Sequence, residues 1–258
     1  MRISIYQVDA FTSRLFAGNP AAVCPLDEWL SDATLQSIAA ENNLSETAFI
    51  VRDADRFQLR WFTPAREVDL CGHATLAAAY VIFTRVQPEA DRVVFDTRGG
   101  ELTVMRSGDR LSMDFPSDPP VPCEPPPGML EALGGQPLET LRGRYHLVVY
   151  ASEREVRELQ PDFRALGRLG GGVTVTAPGD EVDFVSRFFA PAFGIDEDPV
   201  TGSAHCLLIP YWAQRQCKSW LEARQVSARG GELSCEDHAE RVTIAGEAVL
   251  YLEGTIEL

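Results

Sequence analysis

Asp69-Leu70-Cys71-Gly72-His73-Ala74-Thr75-Leu76-Ala77-Ala78-Ala79-Tyr80-Val81-Ile82-Phe83 opens on an acid and a Gly-His pair, then runs to Phe83 without a formal charge. A helix apolar on every face belongs inside a domain. The run is too short to cross a bilayer and has the length of a buried core helix. Its N-terminus, at Gly72 and His73, therefore points unpaired N–H groups into the protein, where an anionic ligand is a natural partner.

A second stretch copies the first. Arg60-Trp61-Phe62-Thr63-Pro64-Ala65 leads through Glu67 and Asp69 to Gly72-His73-Ala74. Arg187-Phe188-Phe189-Ala190-Pro191-Ala192 leads through Asp196, Glu197 and Asp198 to Gly202-Ser203-Ala204, and a charge-poor run to Trp212 follows. Strand, Pro-Ala turn, acidic loop, glycine and buried helix are written twice. A repeat at half-chain spacing points to a duplicated domain.

Working outward, 258 residues suit one large domain or two ordinary ones. The net charge of −15, with no basic cluster, argues against binding nucleic acid or an anionic membrane. The six cysteines are scattered, with neither a Cys-x-x-Cys nor the Cys/His spacing of a zinc site. The N-terminus alternates like a strand and lacks the basic start and apolar core of a signal peptide, so a cytoplasmic protein with reduced thiols is expected.

Taken in order, Ile3 to Phe11 reads as a strand, Phe16 to Pro20 as a tight turn and Ala21 to Pro25 as a strand. Ser31 is a predicted N-cap for a helix with Leu35, Ile38 and Ala39 on one face, ending near Asn42 and Asn43. Strands follow over Leu44 to Val51, Phe57 to Trp61, Val93 to Val104 and Leu111 to Phe115. Pro116 to Met129 holds seven prolines and reads as a linker. Beyond it come strands at Tyr145 to Tyr150, Val173 to Ala177 and Phe184 to Phe189, with a short helix over Glu153 to Gln160. A hairpin around Arg229-Gly230 and two closing strands complete the chain. Many strands and one buried helix per half predict an α+β fold of two similar domains, 1–117 and 118–258, each a curved sheet around its helix. The last strand is also free to return to the first domain. The Gly170-Gly171-Gly172 triplet lacks the Lys-Ser/Thr of a phosphate loop.

Four residues can do chemistry. Glu46 is either a solvated strand-end carboxylate or a general base tuned by partial burial. His73, at the start of a buried helix, is either a satisfied core residue or a proton carrier, and the helix dipole there favours the neutral ring. Asp198 and Ser203 are either caps of the second helix or ligand contacts. Cys71 suggests a thiol nucleophile, but two positions from His73 it does not share a helix face with it. A two-thiol racemase needs a second Cys before Gly202, where Val200 and Thr201 stand. A Ser203–His205 dyad fails on the same spacing.

Gly18-Asn19-Pro20-Ala21-Ala22-Val23, Ser45-Glu46-Thr47-Ala48-Phe49, Leu59-Arg60-Trp61-Phe62-Thr63-Pro64, Asp69-Leu70-Cys71-Gly72-His73-Ala74-Thr75 and Asp196-Glu197-Asp198-Pro199-Val200-Thr201-Gly202-Ser203-Ala204 resemble the PhzF family of phenazine-biosynthesis isomerases, from Tyr6 to the C-terminus. The resemblance implies a diaminopimelate-epimerase-like fold, with each domain a barrel-like sheet around a central helix, the active site in the cleft between the domains, and a homodimer. It also implies a cofactor-independent, metal-free isomerase acting on trans-2,3-dihydro-3-hydroxyanthranilate or a similar small carboxylate. By resemblance, Glu46, His73 and Asp198 are catalytic, with Glu46 moving the proton. Asn19, Gly72, His73, Gly202 and Ser203 bind substrate. A single-base amino-acid epimerase and a non-catalytic binding protein of the same fold are the alternatives.

Overall fold

The computed structural model describes residues 1–258. In chain order the strands are β1 (Arg2–Ala10), β2 (Asn19–Leu26), β3 (Glu46–Asp53), β4 (Arg56–Phe62), β5 (Glu67–Val68) and β6 (Arg92–Thr97). Next come β7 (Gly100–Ser107), β8 (Arg110–Pro116), β9 (Val121–Pro122), β10 (Glu139–Arg142), β11 (His146–Val149) and β12 (Val173–Pro178). The last six are β13 (Phe184–Ala190), β14 (Ile195–Asp198), β15 (Trp220–Gln225), β16 (Gly231–Asp237), β17 (Arg241–Gly246) and β18 (Ala248–Glu257). The α-helices are α1 (Asp32–Asn42), α2 (Gly72–Val81), α3 (Met129–Leu133), α4 (Glu153–Glu158), α5 (Phe163–Leu169) and α6 (Gly202–Gln216). Two compact units result, one of residues 1–114 with 245–258, the other of residues 115–244.

In the first unit β18 pairs antiparallel with β1, β1 antiparallel with β2, β2 parallel with β3, and β3 antiparallel with β4. Strand β4 then takes β5 antiparallel and β6 parallel, and β6, β7 and β8 follow as a meander. The second unit repeats these senses in order. Strand β9 pairs antiparallel with β10, β10 antiparallel with β11, β11 parallel with β12, and β12 antiparallel with β13. Strand β13 takes β14 antiparallel and β15 parallel, and β15 runs antiparallel to β16. Helix α1 fills the parallel crossover between β2 and β3; α4 and α5 fill the one between β11 and β12. Parallel neighbours need such crossovers. The duplication read from two motifs is thus a duplication of topology.

Each unit folds its strands about one buried helix. Helix α2 packs against β1, β2, β3 and β18, and every residue from His73 to Ala79 is buried. Helix α6 packs against β15 and β16 and buries Ala204, Leu207, Leu208, Ile209 and Trp212. Outside the first sheet, α1 seals a second core of Leu35, Ile38 and Ala39 with Ile3, Cys24, Phe49 and Phe62. Ser31 caps α1 by accepting from the Thr34 N–H at 3.2 Å, and Asn43 ends it in the left-handed conformation.

Two expectations change and one left open is resolved. The second unit ends at Ile244, because residues 245–258 return to the first, where β18 lies along β1, the course left open for the last strand. The seven-proline stretch is not a linker: the division falls at 114/115 and the stretch belongs to the second unit. Pro210 inside α6 has no N–H to give the Cys206 carbonyl four residues earlier, and the Asp118 N–H takes that acceptor at 2.9 Å. The stretch continues through Cys123 N–H on Thr140 O at 3.1 Å and closes in α3. Finally, the crossover before β12 holds α5 as well as the expected α4. No helix is long and apolar enough to cross a membrane.

Candidate active site

Glu46 opens β3 and lies opposite Ala21 of the parallel strand β2, which begins at Asn19. Gly18 makes that beginning possible. Its φ is +64°, and a Cβ there would lie 2.2 Å from the Ala10 carbonyl oxygen. These strand starts meet the first turn of α2. His73 Nε2 lies 3.1 Å from Glu46 Oε2, and Asn19 Nδ2 lies 3.1 Å from His73 Nδ1. His73 is 4% exposed and Asn19 fully buried. Glu46 Oε2 and His73 Nε2 approach closely, yet neither completes an aligned hydrogen bond. Buried polar atoms in that condition are held for another partner or for chemistry.

Cys71 also reaches His73, with Sγ 3.6 Å from Nδ1. The helical-spacing argument against this pair fails because Cys71 is the N-cap of α2, with extended backbone (φ −147°, ψ 108°). Burial and the Glu46 carboxylate push the Cys71 thiol up to about 11, so it is neutral at pH 7 and no ready nucleophile. Burial opposes a charge on His73, but the neighbouring Cys71 and Glu46 outweigh it and hold the imidazole well above 6.5. Since Cys71 is a neutral thiol, the charge that retains the proton is that of Glu46. The helix dipole's preference for a neutral His73 is thereby opposed by the charge beside it. With Asn19 Nδ2 donating to Nδ1, the ring proton sits on Nε2, facing Glu46; a second proton, on Nδ1, requires the Asn19 amide to present its oxygen instead. A carboxylate and an imidazole 3.1 Å apart can take a proton from a ligand and return it.

Glu46, Cys71 and His73 also bring carboxylate, thiol and imidazole within 4.8 Å of one another. The thiol lies 3.6 Å from Nδ1 and the carboxylate 3.1 Å from Nε2 of the same ring.

In the second unit Asp198 ends β14 and Gly202 begins α6, with Thr201 as its N-cap. Neither Cys71 nor Thr201 caps its own helix with its side chain, so both helix starts keep their positive end. The repeat extends to how each start is tied. Thr75 Oγ1 donates to the Cys71 carbonyl at 2.6 Å, and His205 Nδ1 donates to the Thr201 carbonyl at 2.8 Å, each four residues back. Burial pushes His205 down to about 4, so it is a neutral ring. His205 is therefore spent on the backbone, and Ser203 has a different partner: its Oγ lies 3.1 Å from the Tyr145 hydroxyl. The Ser203–His205 dyad is absent, as the spacing indicated. Thr201 Oγ1 donates to Asp198 Oδ2 at 2.5 Å.

A family model for PhzC-PhzF, the phenazine biosynthesis-like proteins, matches residues 8–254. The chain belongs to the PhzF family. An uncharacterised isomerase of Pseudomonas aeruginosa is 55% identical over 100% of both chains. The crystal structure of a PhzF-family phenazine biosynthesis protein from Enterococcus faecalis matches with a TM-score of 0.98 at 48% identity, covering 100% of both chains. A predicted epimerase of P. aeruginosa, at 19% identity and a TM-score of 0.76 over 99% of both chains, shares the fold alone. Chains of the PhzF family thus carry the diaminopimelate-epimerase-like fold expected from the motifs, and the isomerase class comes with the named relatives.

Glu46, His73 and Asn19 form one cluster, with Gly72 beginning the helix beside it. Asp198, Gly202 and Ser203 lie along one loop-to-helix turn. Sequence reasoning missed Tyr145 and Gln225. Neither stands in a motif: Tyr145 precedes β11 and Gln225 ends β15.

Proposed function

We propose that this chain is a cofactor-independent isomerase that moves a proton within a small carboxylated cyclic metabolite such as trans-2,3-dihydro-3-hydroxyanthranilate. The observation that carries the reading is the close, unaligned approach of Glu46 Oε2 to His73 Nε2 at 3.1 Å. Glu46 takes the proton from one ring carbon and delivers it to another, shifting the double bonds towards a ketone. His73, beside the carboxylate, binds the substrate and assists the protonation. Asp198 and Ser203 bind the substrate and assist the protonation. The positive ends of α2 and α6 suit a substrate carboxylate, which fits a chain with no basic cluster. General acid–base help of this kind supplies about 10²–10⁴ in rate, and positioning supplies the rest.

The test follows the ultraviolet spectrum of trans-2,3-dihydro-3-hydroxyanthranilate with the wild type and with Glu46→Gln, in ordinary and heavy water. Consumption by the wild type, with solvent deuterium in the product and neither seen with the variant, supports the reading. Turnover undiminished in Glu46→Gln removes Glu46 as the base. If the wild type leaves this compound untouched, the same deuterium readout across cyclic and amino-acid carboxylates separates another substrate from a chain that binds without catalysis.

A further inference from the structure

Thr201 has every polar group engaged, and by groups from three different elements. Its N–H donates to Gln225 Oε1 at 2.9 Å. Its hydroxyl oxygen accepts from Gln225 Nε2 at 3.2 Å, and its carbonyl accepts from His205 Nδ1 at 2.8 Å. That leaves the hydroxyl proton, which goes to Asp198 Oδ2 at 2.5 Å, the length of a strong alcohol-to-carboxylate bond. Gln225 also donates to the Asp198 carbonyl at 2.8 Å, so one amide grips both ends of the turn. Gln225 and His205 are each 0% exposed.

A buried glutamine on the last residue of a strand is costly unless all of its groups are used. Here they are used on two residues only, Asp198 and Thr201. The neutral His205 adds a fixed donor from inside α6. With its oxygen already accepting from Gln225, the Thr201 hydroxyl has one direction left for its proton. That direction is the Asp198 carboxylate.

We propose that Thr201 is a positioning residue that aims the Asp198 carboxylate, with Gln225 and His205 as the buried clamps that fix Thr201. The proposal rests on the reading in which Asp198 assists proton transfer. It places the control of one carboxylate in a hydroxyl whose contacts are Asp198 and Gln225. At the matching position of the first unit stands Cys71, whose side chain turns to His73 instead, so the two copies use the same N-cap site to orient different acid–base groups.

The experiment compares Thr201→Val, which keeps the shape and removes the hydroxyl, with Thr201→Ser, which keeps the hydroxyl. Both are measured against wild type for kcat and KM in the isomerase assay, and crystal structures of both variants are solved. Thr201→Val should lower kcat about 10- to 100-fold with KM changed less than about threefold, as misplacement of an acting group does. Thr201→Ser should stay within about threefold of wild type. In the structures the Asp198 carboxylate should leave its place in Thr201→Val and keep it in Thr201→Ser. Unchanged kcat in Thr201→Val, or an equal loss in both variants, overturns the proposal. So does an Asp198 carboxylate that stays in place without the hydroxyl. The structural readout stands without turnover: if no substrate is consumed by wild type, the functional reading fails while the carboxylate's position still decides the role of Thr201.

Discussion

Arg187 grips Glu197 with two parallel bonds, Nε to Oε1 at 2.8 Å and Nη2 to Oε2 at 2.9 Å. Arg60 grips Glu67 in the same way, at 2.7 and 2.8 Å. Each pair joins the strand before the Pro-Ala turn to the acidic stretch after it, and so sets the path into the buried helix of its unit. The two pairs are not equal. Arg187 also donates through Nη1 to the carbonyls of Val156 and Leu159, at 3.1 and 3.0 Å, which would otherwise lie buried near the end of α4. Arg60 instead reaches the exposed Asp32. Replacing Arg187 with Met should cost about 2–4 kcal/mol, because a half-buried carboxylate and two buried carbonyls lose their donor. Arg60→Met should cost less. Urea unfolding of both variants, read by circular dichroism, checks the order, and equal costs would contradict it.

The repeat was legible because Pro-Ala turn, acid, glycine and charge-free helix are local patterns, and the Arg–Glu pairs lie inside them. The misreadings share another cause. Seven prolines look like a linker in isolation, and the contact that makes them structural is between Asp118 and a carbonyl freed by Pro210, far along the chain. The helix dipole predicts a force on His73, but the carboxylate that opposes it comes from strand β3. Cys71 is barred from His73 only if both are helical, and an N-cap is not. Gln225 carries no local signal at all, since its partners are in a loop and a helix start.

His73 should lose proton affinity when Glu46 is neutralised. Burial resists its charge, and the neighbouring Cys71 and Glu46 raise its pKa against that resistance. In Glu46→Gln the burial remains and the charge is gone, so the imidazole should titrate below its wild-type value. Heteronuclear NMR of the ring nitrogens across pH reads this directly. The sign for stability follows. A histidine held above its unfolded value of 6.5 stabilises the fold fully below that pH, and the contribution fades as pH rises through the folded pKa. An unchanged His73 titration in Glu46→Gln would remove Glu46 as its cause.

His205 should act in the opposite direction. Burial lowers it from 6.5 to about 4, so the folded state resists its protonation. Its contribution is complete above pH 6.5 and is lost as pH falls towards 4, at most about 3 kcal/mol. His205→Gln should flatten that part of the stability profile while changing the neutral-pH value by its own fixed cost. Denaturant midpoints of both proteins from pH 7 to pH 4 measure the difference. Parallel profiles would mean that His205 does not set the slope.

The last glycine of the triplet serves Tyr145 through space rather than through backbone freedom. A Cβ on Gly172 would lie 2.4 Å from Phe188 Cζ and 3.2 Å from Tyr145 Cδ1. Those two rings meet edge to face at 4.9 Å, and that contact holds the Tyr145 hydroxyl at Ser203. Gly172→Ala should therefore displace the pair and cost about 1–3 kcal/mol, as overpacking does. Tyr145→Phe keeps the ring and removes only the hydroxyl, so its melting temperature should stay near wild type. If Ser203 binds substrate as proposed, losing its orienting phenol should raise KM several-fold and leave kcat less affected. A Tyr145→Phe enzyme with wild-type KM, beside a Gly172→Ala protein of reduced stability, would confine the pair to packing.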